Sequence, residues 1–241
     1  MNMKIVKKLI IIIILIFTIL ASICIYLLIK DIYYLKENKE STQELINQTI
    51  QVNRKEHKKI IDWEYLKNIN EDIIAWIEID GTNINYPILK DTELYYLKHT
   101  FEKKYNNNGS IFTTNVFPFI DDETIVYGHN MKNGSMFSNL SKYMNKDFLD
   151  SHIKFKIYTP TTNYEAKIFS VYSIDIENEE KNIKSLDFEQ TIEYYKKSSK
   201  YQIKTDEQIN KILKLSTCSY INAKLKPTEQ RYYIIANLLI I

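Results

Sequence analysis

One thiol, one imidazole and one guanidinium are the first candidates for chemistry in this 241-residue chain. Cys218 stands in KLSTCSY, and it is the only cysteine outside an apolar N-terminal stretch that holds Cys24. Three readings are open for it: an inert buried cysteine, an intermolecular bridge, or a reactive thiolate. A nucleophilic thiol needs a proton partner and a group that stabilises the oxyanion formed when it attacks a carbonyl. His129 in TIVYGHNMKNGSMFSNL suits the first need, because it follows a β-rich run at Gly128 and opens a loop containing Asn133 and Gly134. Such a place exposes an imidazole at the rim of a sheet; the alternative is an ordinary loop histidine. Arg231 opens RYYIIANLLI and would stand beside the cysteine strand if the two paired across the intervening turn. Its alternative is a solvated strand start. His99 and His152 lie in charged surroundings and His57 in a polar stretch, so all three read as surface histidines.

The elements that must hold these side chains are mostly strands. Asp62 can cap a short helix carrying Trp63, Leu66 and Ile73, after which Trp76 to Leu89 turns to extended chemistry around Asp80-Gly81. Further strand-like runs cover 110–114, 124–127, 154–159, 164–175, 211–217 and 232–240, about eight in all, which favours a mostly antiparallel barrel or sandwich. One helix interrupts them from Asp187 to Ser199: Asp187 and Gln190 form a capping-box pattern, and Phe188, Ile192 and Tyr195 make an apolar stripe. In the cysteine strand, Leu213, Leu215 and Thr217 share one face and Ile212, Lys214, Ser216 and Cys218 the other. A face carrying lysine and serine is expected to be open to solvent, with Cys218 accessible at the strand end.

From Leu9 to Ile29 no residue carries a formal charge, and at 1.5 Å per residue this run spans roughly 31 Å as a helix, about one hydrocarbon thickness. Lys4, Lys7 and Lys8 precede it, while Lys30 and Asp31 nearly cancel behind it, which points to a cytoplasmic N-terminus and an extracellular remainder. The run is longer than a cleaved signal's apolar core and no small-residue cleavage site closes it, so residues 1–30 read as an uncleaved single-pass anchor in the cell membrane. Residues 31–59 read as a polar, partly helical stalk and 60–241 as the main domain. Residues 1–30 hold four lysines and no acid, leaving 28 basic against 30 acidic residues beyond them. No basic surplus remains for phosphates, which argues against nucleic acid as a partner. With Cys24 in the membrane, Cys218 has no partner for a bridge within the chain.

The segments TIVYGHNM with GSMF, LSTCSY and RYYIIANL, preceded by NEDIIAWIEIDGTNINYPIL, YYLKHTF and GSIF, resemble the class B sortase pattern in collinear order from about Ile60 to the C-terminus. Sortases are cysteine transpeptidases of Gram-positive cell surfaces. The resemblance implies an eight-stranded β-barrel with N-terminal helices and a helix inserted between the sixth and seventh strands, a role that Asp187 to Ser199 fits. It puts the catalytic cysteine, histidine and arginine on Cys218, His129 and Arg231, and substrate-groove positions on Ser216 and Leu97. The implied reaction cleaves an Asn-Pro-x-Thr-like C-terminal sorting signal of a secreted protein and joins the threonine carbonyl, through a thioacyl-enzyme, to an amine of peptidoglycan or its lipid-linked precursor. No metal or organic cofactor is implied. Two departures stand out: INAKLKPTE lengthens the turn before Arg231, and Ser219 replaces an acid found in some members. A thiol hydrolase of the same fold and a non-catalytic surface-binding barrel are the competing readings.

Overall fold

The computed structural model describes residues 3–53, 58–219 and 229–241. His57 and most of the INAKLKPTE turn lie outside the described residues. The chain forms two compact units, residues 1–48 and 49–241.

The first unit is helical. Helix α1 runs without a break over Met3–Thr49 and contains a segment long and apolar enough to cross a membrane. Two hydroxyls within its apolar run are satisfied locally: Thr18 Oγ1 donates to the Leu15 carbonyl at 2.8 Å and Ser22 Oγ to the Thr18 carbonyl at 2.8 Å. That back-bonding leaves no orphaned hydroxyl at those positions in an apolar surrounding.

In the second unit a two-stranded hairpin, β1 (Ile50–Asn53) and β2 (Lys58–Ile61), precedes helix α2 (Trp63–Ile69). No turn or strand signal in the sequence pointed to this hairpin. Asp62 caps α2 as expected, its carboxylate accepting from Tyr65 N at 2.9 Å, but Ile73 lies beyond the helix and opens a strand. Strands β3 (Ile73–Glu78), β4 (Asn85–Lys90), β5 (Ile111–Thr113) and β6 (Glu123–Tyr127) are followed by a 3-10 stretch (Ser138–Met144) and helix α3 (Lys146–Ser151). Strands β7 (Lys154–Tyr158) and β8 (Asn163–Asp175) lead into helices α4 (Ile176–Ile183) and α5 (Phe188–Ser198), then β9 (Ile212–Cys218) and β10 (Gln230–Ile240).

The eight strands β3 to β10 close into a barrel in the order β10-β8-β7-β3-β4-β5-β6-β9. Only the β4–β5 and β6–β9 pairs are parallel. Gly81 turns β3 into β4 at φ +71°, and a Cβ there would meet the His152 ring at 2.2 Å, so His152 is a packing residue beneath that turn. The barrel is filled by Ala75, Ile77, Ile88, Val126, Leu213, Leu215 and Ile234 among others. The insertion between the sixth and seventh barrel strands holds α4 as well as the expected α5. The α5 capping box forms, with Gln190 N donating to Asp187 at 2.8 Å and Asp187 N to the Gln190 side chain at 3.2 Å. Ile192 and Tyr195 of α5 bury a second apolar layer on the outside of the barrel with Phe169, Tyr172, Ile212, Tyr233 and Ile235.

That layer corrects the expectation for β9. Lys214 and Ser216 are each 2% exposed, because the insertion covers the face they share. Only Cys218, at the strand end, is half-buried.

Candidate active site

The thiol and the guanidinium meet because β9 and β10 pair antiparallel with Cys218 opposite Arg231. Arg231 NH1 lies 3.5 Å from Cys218 Sγ and also donates to the Gln230 carbonyl at 3.0 Å. The next strand across places Ile174 of β8 opposite Arg231, so one row of the sheet reads Ile174, Arg231, Cys218. A half-buried guanidinium beside a half-buried sulfur sets a fixed, planar cation next to any charge that develops there.

His129 reaches the same end of the barrel along β6, which runs parallel to β9 with Tyr127 opposite Ser216. Past the strand, Gly128 N donates to the Ser216 carbonyl at 3.2 Å and Thr217 Oγ1 donates to the Gly128 carbonyl at 2.8 Å. Position 128 is tightly packed, since a Cβ would come within 2.4 Å of Ile111 Cδ1 and 2.8 Å of the Phe137 ring, and those side chains would have to shift to admit one. Asn130 Nδ2 then donates to the Cys218 carbonyl at 2.7 Å. His129 is therefore held between two residues that are both bonded to β9. Its own ring is fixed by a 2.8 Å contact from Nε2 to the Leu97 carbonyl; a carbonyl only accepts, so this geometry puts the proton on Nε2.

Of the two groove positions, Leu97 ends a 3-10 turn (Tyr95–Leu97), is 37% exposed, and offers both the carbonyl that orients His129 and an apolar side chain beside it. Ser216 is buried opposite Tyr233, whose hydroxyl it hydrogen-bonds, so it sits beneath the site's surface. Burial pushes the Tyr233 and Tyr127 hydroxyls flanking Ser216 above their usual range, keeping both neutral hydrogen-bonding groups. Ser219 is fully buried and accepts from Ser173 Oγ at 2.9 Å. Among the described residues no group of three or more His, Cys, Asp or Glu side chains could hold a metal. Asn130 was missed by sequence reasoning; its only signal was its place directly after His129.

The sortase domain family matches residues 77–239, a span that includes His129, Cys218 and Arg231. Sortase B of Listeria monocytogenes is 41% identical over 162 residues, which are 64% of this chain and 65% of that protein's length. The crystal structure of sortase B from B. anthracis superposes with a TM-score of 0.69 at 29% identity, covering 87% of this chain and all of that one. The Staphylococcus aureus sortase B–substrate complex gives a TM-score of 0.64 at 28% identity over 74% of this chain and 85% of that one. A shared closed barrel, a family match through both halves of the site and class B relatives by sequence and by structure agree: the chain belongs to the sortase family, in its class B branch.

Proposed function

We propose that this chain is a membrane-anchored cysteine transpeptidase that cleaves the C-terminal sorting signal of secreted proteins and transfers the threonine acyl group to a cell-wall amine. The observation that carries the reading is the 3.5 Å approach of Arg231 to the Cys218 sulfur in one row of the sheet, with His129 bonded into the same barrel end. The Cys218 thiolate adds to the threonine carbonyl, and the Arg231 guanidinium stabilises the resulting oxyanion. As the C–N bond breaks, imidazolium His129 gives a proton to the departing amine, leaving a thioester on Cys218. An incoming amine of peptidoglycan or its lipid-linked precursor loses a proton to His129, attacks the thioester and releases the thiolate. The half-exposed thiol and the exposed Leu97 side chain leave room for a peptide at the sulfur. A sortase B–substrate complex among the structural neighbours supports a sorting-signal substrate as the donor, and the Asn-Pro-x-Thr-like form follows from the resemblance in sequence.

The anchor is the apolar part of α1, and the lysines before it favour an extracellular catalytic unit at the cell membrane. The test is a sorting-signal peptide incubated with the full chain, with and without an added amine. Expected are a Cys218-linked acyl intermediate and an amine-ligated product, both abolished by Cys218→Ala in a variant that keeps its fold. Release of free acid alone in the presence of amine would make the chain a hydrolase; cleavage by Cys218→Ala at the parent rate would remove Cys218 from the reaction.

A further inference from the structure

The outer face of β9 that ends in Cys218 also carries a buried ammonium. Lys214 Nζ donates to Glu179 Oε1 at 2.5 Å and to the Tyr195 hydroxyl at 3.2 Å, and lies 4.2 Å from the Tyr233 ring centroid. Glu179 is 2% exposed and accepts from the hydroxyls of Tyr172 at 2.6 Å and Tyr194 at 2.8 Å, so both of its oxygens are held. The Tyr195 hydroxyl in turn donates to Glu123 at 2.7 Å. None of these groups has a part in the acyl transfer described above.

What makes the network informative is the helix it holds. Glu179 is the only buried side chain of α4. A surface helix ordinarily seats itself through an apolar stripe, whereas α4 has no fully buried apolar residue and only Ile183, at its end, packs against the outer apolar layer. At its start, Asp175 caps α4 and pairs with Gln230, one position past the row Ile174, Arg231, Cys218. The helix therefore leaves the barrel two residues past Ile174, which faces Arg231, with Cys218 one strand further across, and is tied back to the strand that ends in the thiol. A buried ion pair contributes little net stability compared with apolar residues of similar size, because desolvation offsets the attraction. It does fix direction, and with three donors converging on two carboxylate oxygens the seat of α4 has one geometry.

We propose that Lys214 and Glu179 are positioning residues for acyl transfer: their ion pair sets α4 as a wall of the substrate cleft next to Cys218 and Arg231. The inference rests on the transpeptidase reading for its effect on substrate. The test compares the full chain with the double variant Lys214→Met/Glu179→Leu, in which neither member of the ion pair is left without the other and Glu123 keeps its bond from Tyr195. Its melting temperature is expected to match or exceed the parent's. Amides of residues 176–183 are expected to exchange about tenfold faster, and KM for a sorting-signal peptide to rise about tenfold, while kcat and alkylation of Cys218 by iodoacetamide stay within about threefold. A KM within about twofold of an active parent overturns the proposal. If the parent turns over no sorting-signal peptide, the transpeptidase reading fails separately; exchange then decides the seat of α4, with parent-like rates overturning it and faster rates upholding it. Should the double variant not fold, Tyr194→Phe removes a single hydrogen bond to Glu179 and is expected to raise KM about two- to fivefold, an unchanged KM being the negative result.

Discussion

Cys218 and Arg231 meet because they face each other across the β9–β10 pair, and His129 follows β6, the strand on the other side of β9. Arg231 faces Cys218 across an antiparallel pair with its guanidinium 3.5 Å from the sulfur, and in the proposed reaction it would stabilise the charge passing from thiolate to oxyanion. Its value lies in the planar fork, which an ammonium cannot copy. Arg231→Lys is accordingly expected to lower kcat/KM by about 10²–10³-fold, the cost of losing an oxyanion donor, with the fold retained. Steady-state kinetics on a sorting-signal peptide checks this, and near-parent turnover would take Arg231 out of the site. Lys214 gives the opposite lesson at this scale. Read by alternation alone it belonged to a solvent-facing side, whereas Glu179 and the Tyr233 and Tyr195 rings let it be buried.

At the scale of elements, the β6–β9 parallel pair and the loop after β6 decide where the imidazole goes. Gly128 is a tight point: a methyl group there would meet Ile111 and Phe137 well inside contact distance. Gly128→Ala is expected to destabilise the barrel by about 1–3 kcal/mol and to lower kcat/KM as His129 is displaced, measurable by thermal unfolding beside peptide turnover. A second prediction concerns Glu123 at the start of β6, beneath α5. Burial raises its carboxyl above the ordinary value, opposed by the Lys214 ammonium and the Tyr195 hydroxyl. With the folded value above the unfolded one of about 4.3, the contribution of Glu123 is fully present below that pH and is lost as pH rises through the folded value. Glu123→Gln keeps an acceptor for Tyr195 and removes this titration. Relative to the parent, its melting temperature is expected to gain as pH is raised from about 4 to 7; parallel pH profiles would refute it.

The whole molecule joins an apolar helix to a closed barrel, and its two cysteines are suited to report the arrangement. Cys24 lies within the candidate span of α1 and Cys218 at the rim of the barrel. On intact cells, a membrane-impermeant maleimide is expected to label Cys218 and leave Cys24 unmodified. Labelling of Cys218 only after lysis would place the barrel on the cytoplasmic side and reverse the proposed orientation.

Much of this was legible in the sequence because the signals are local. A charge-free run of bilayer length, caps at Asp62 and Asp187, and alternating strands bounded by turns follow from the chemistry of neighbouring residues, as did the lone thiol and the resemblance that pointed to His129 and Arg231. Other features depended on contacts between residues far apart. Helix α4 offers few apolar side chains and was invisible until Glu179 found Lys214, while the hairpin β1–β2 is too short to declare itself. The burial of Ser216 and the bond from Asn130 to the Cys218 carbonyl exist only once the barrel closes and the insertion folds over it. Periodicity says which side chains share a face, but only the tertiary structure decides what covers that face.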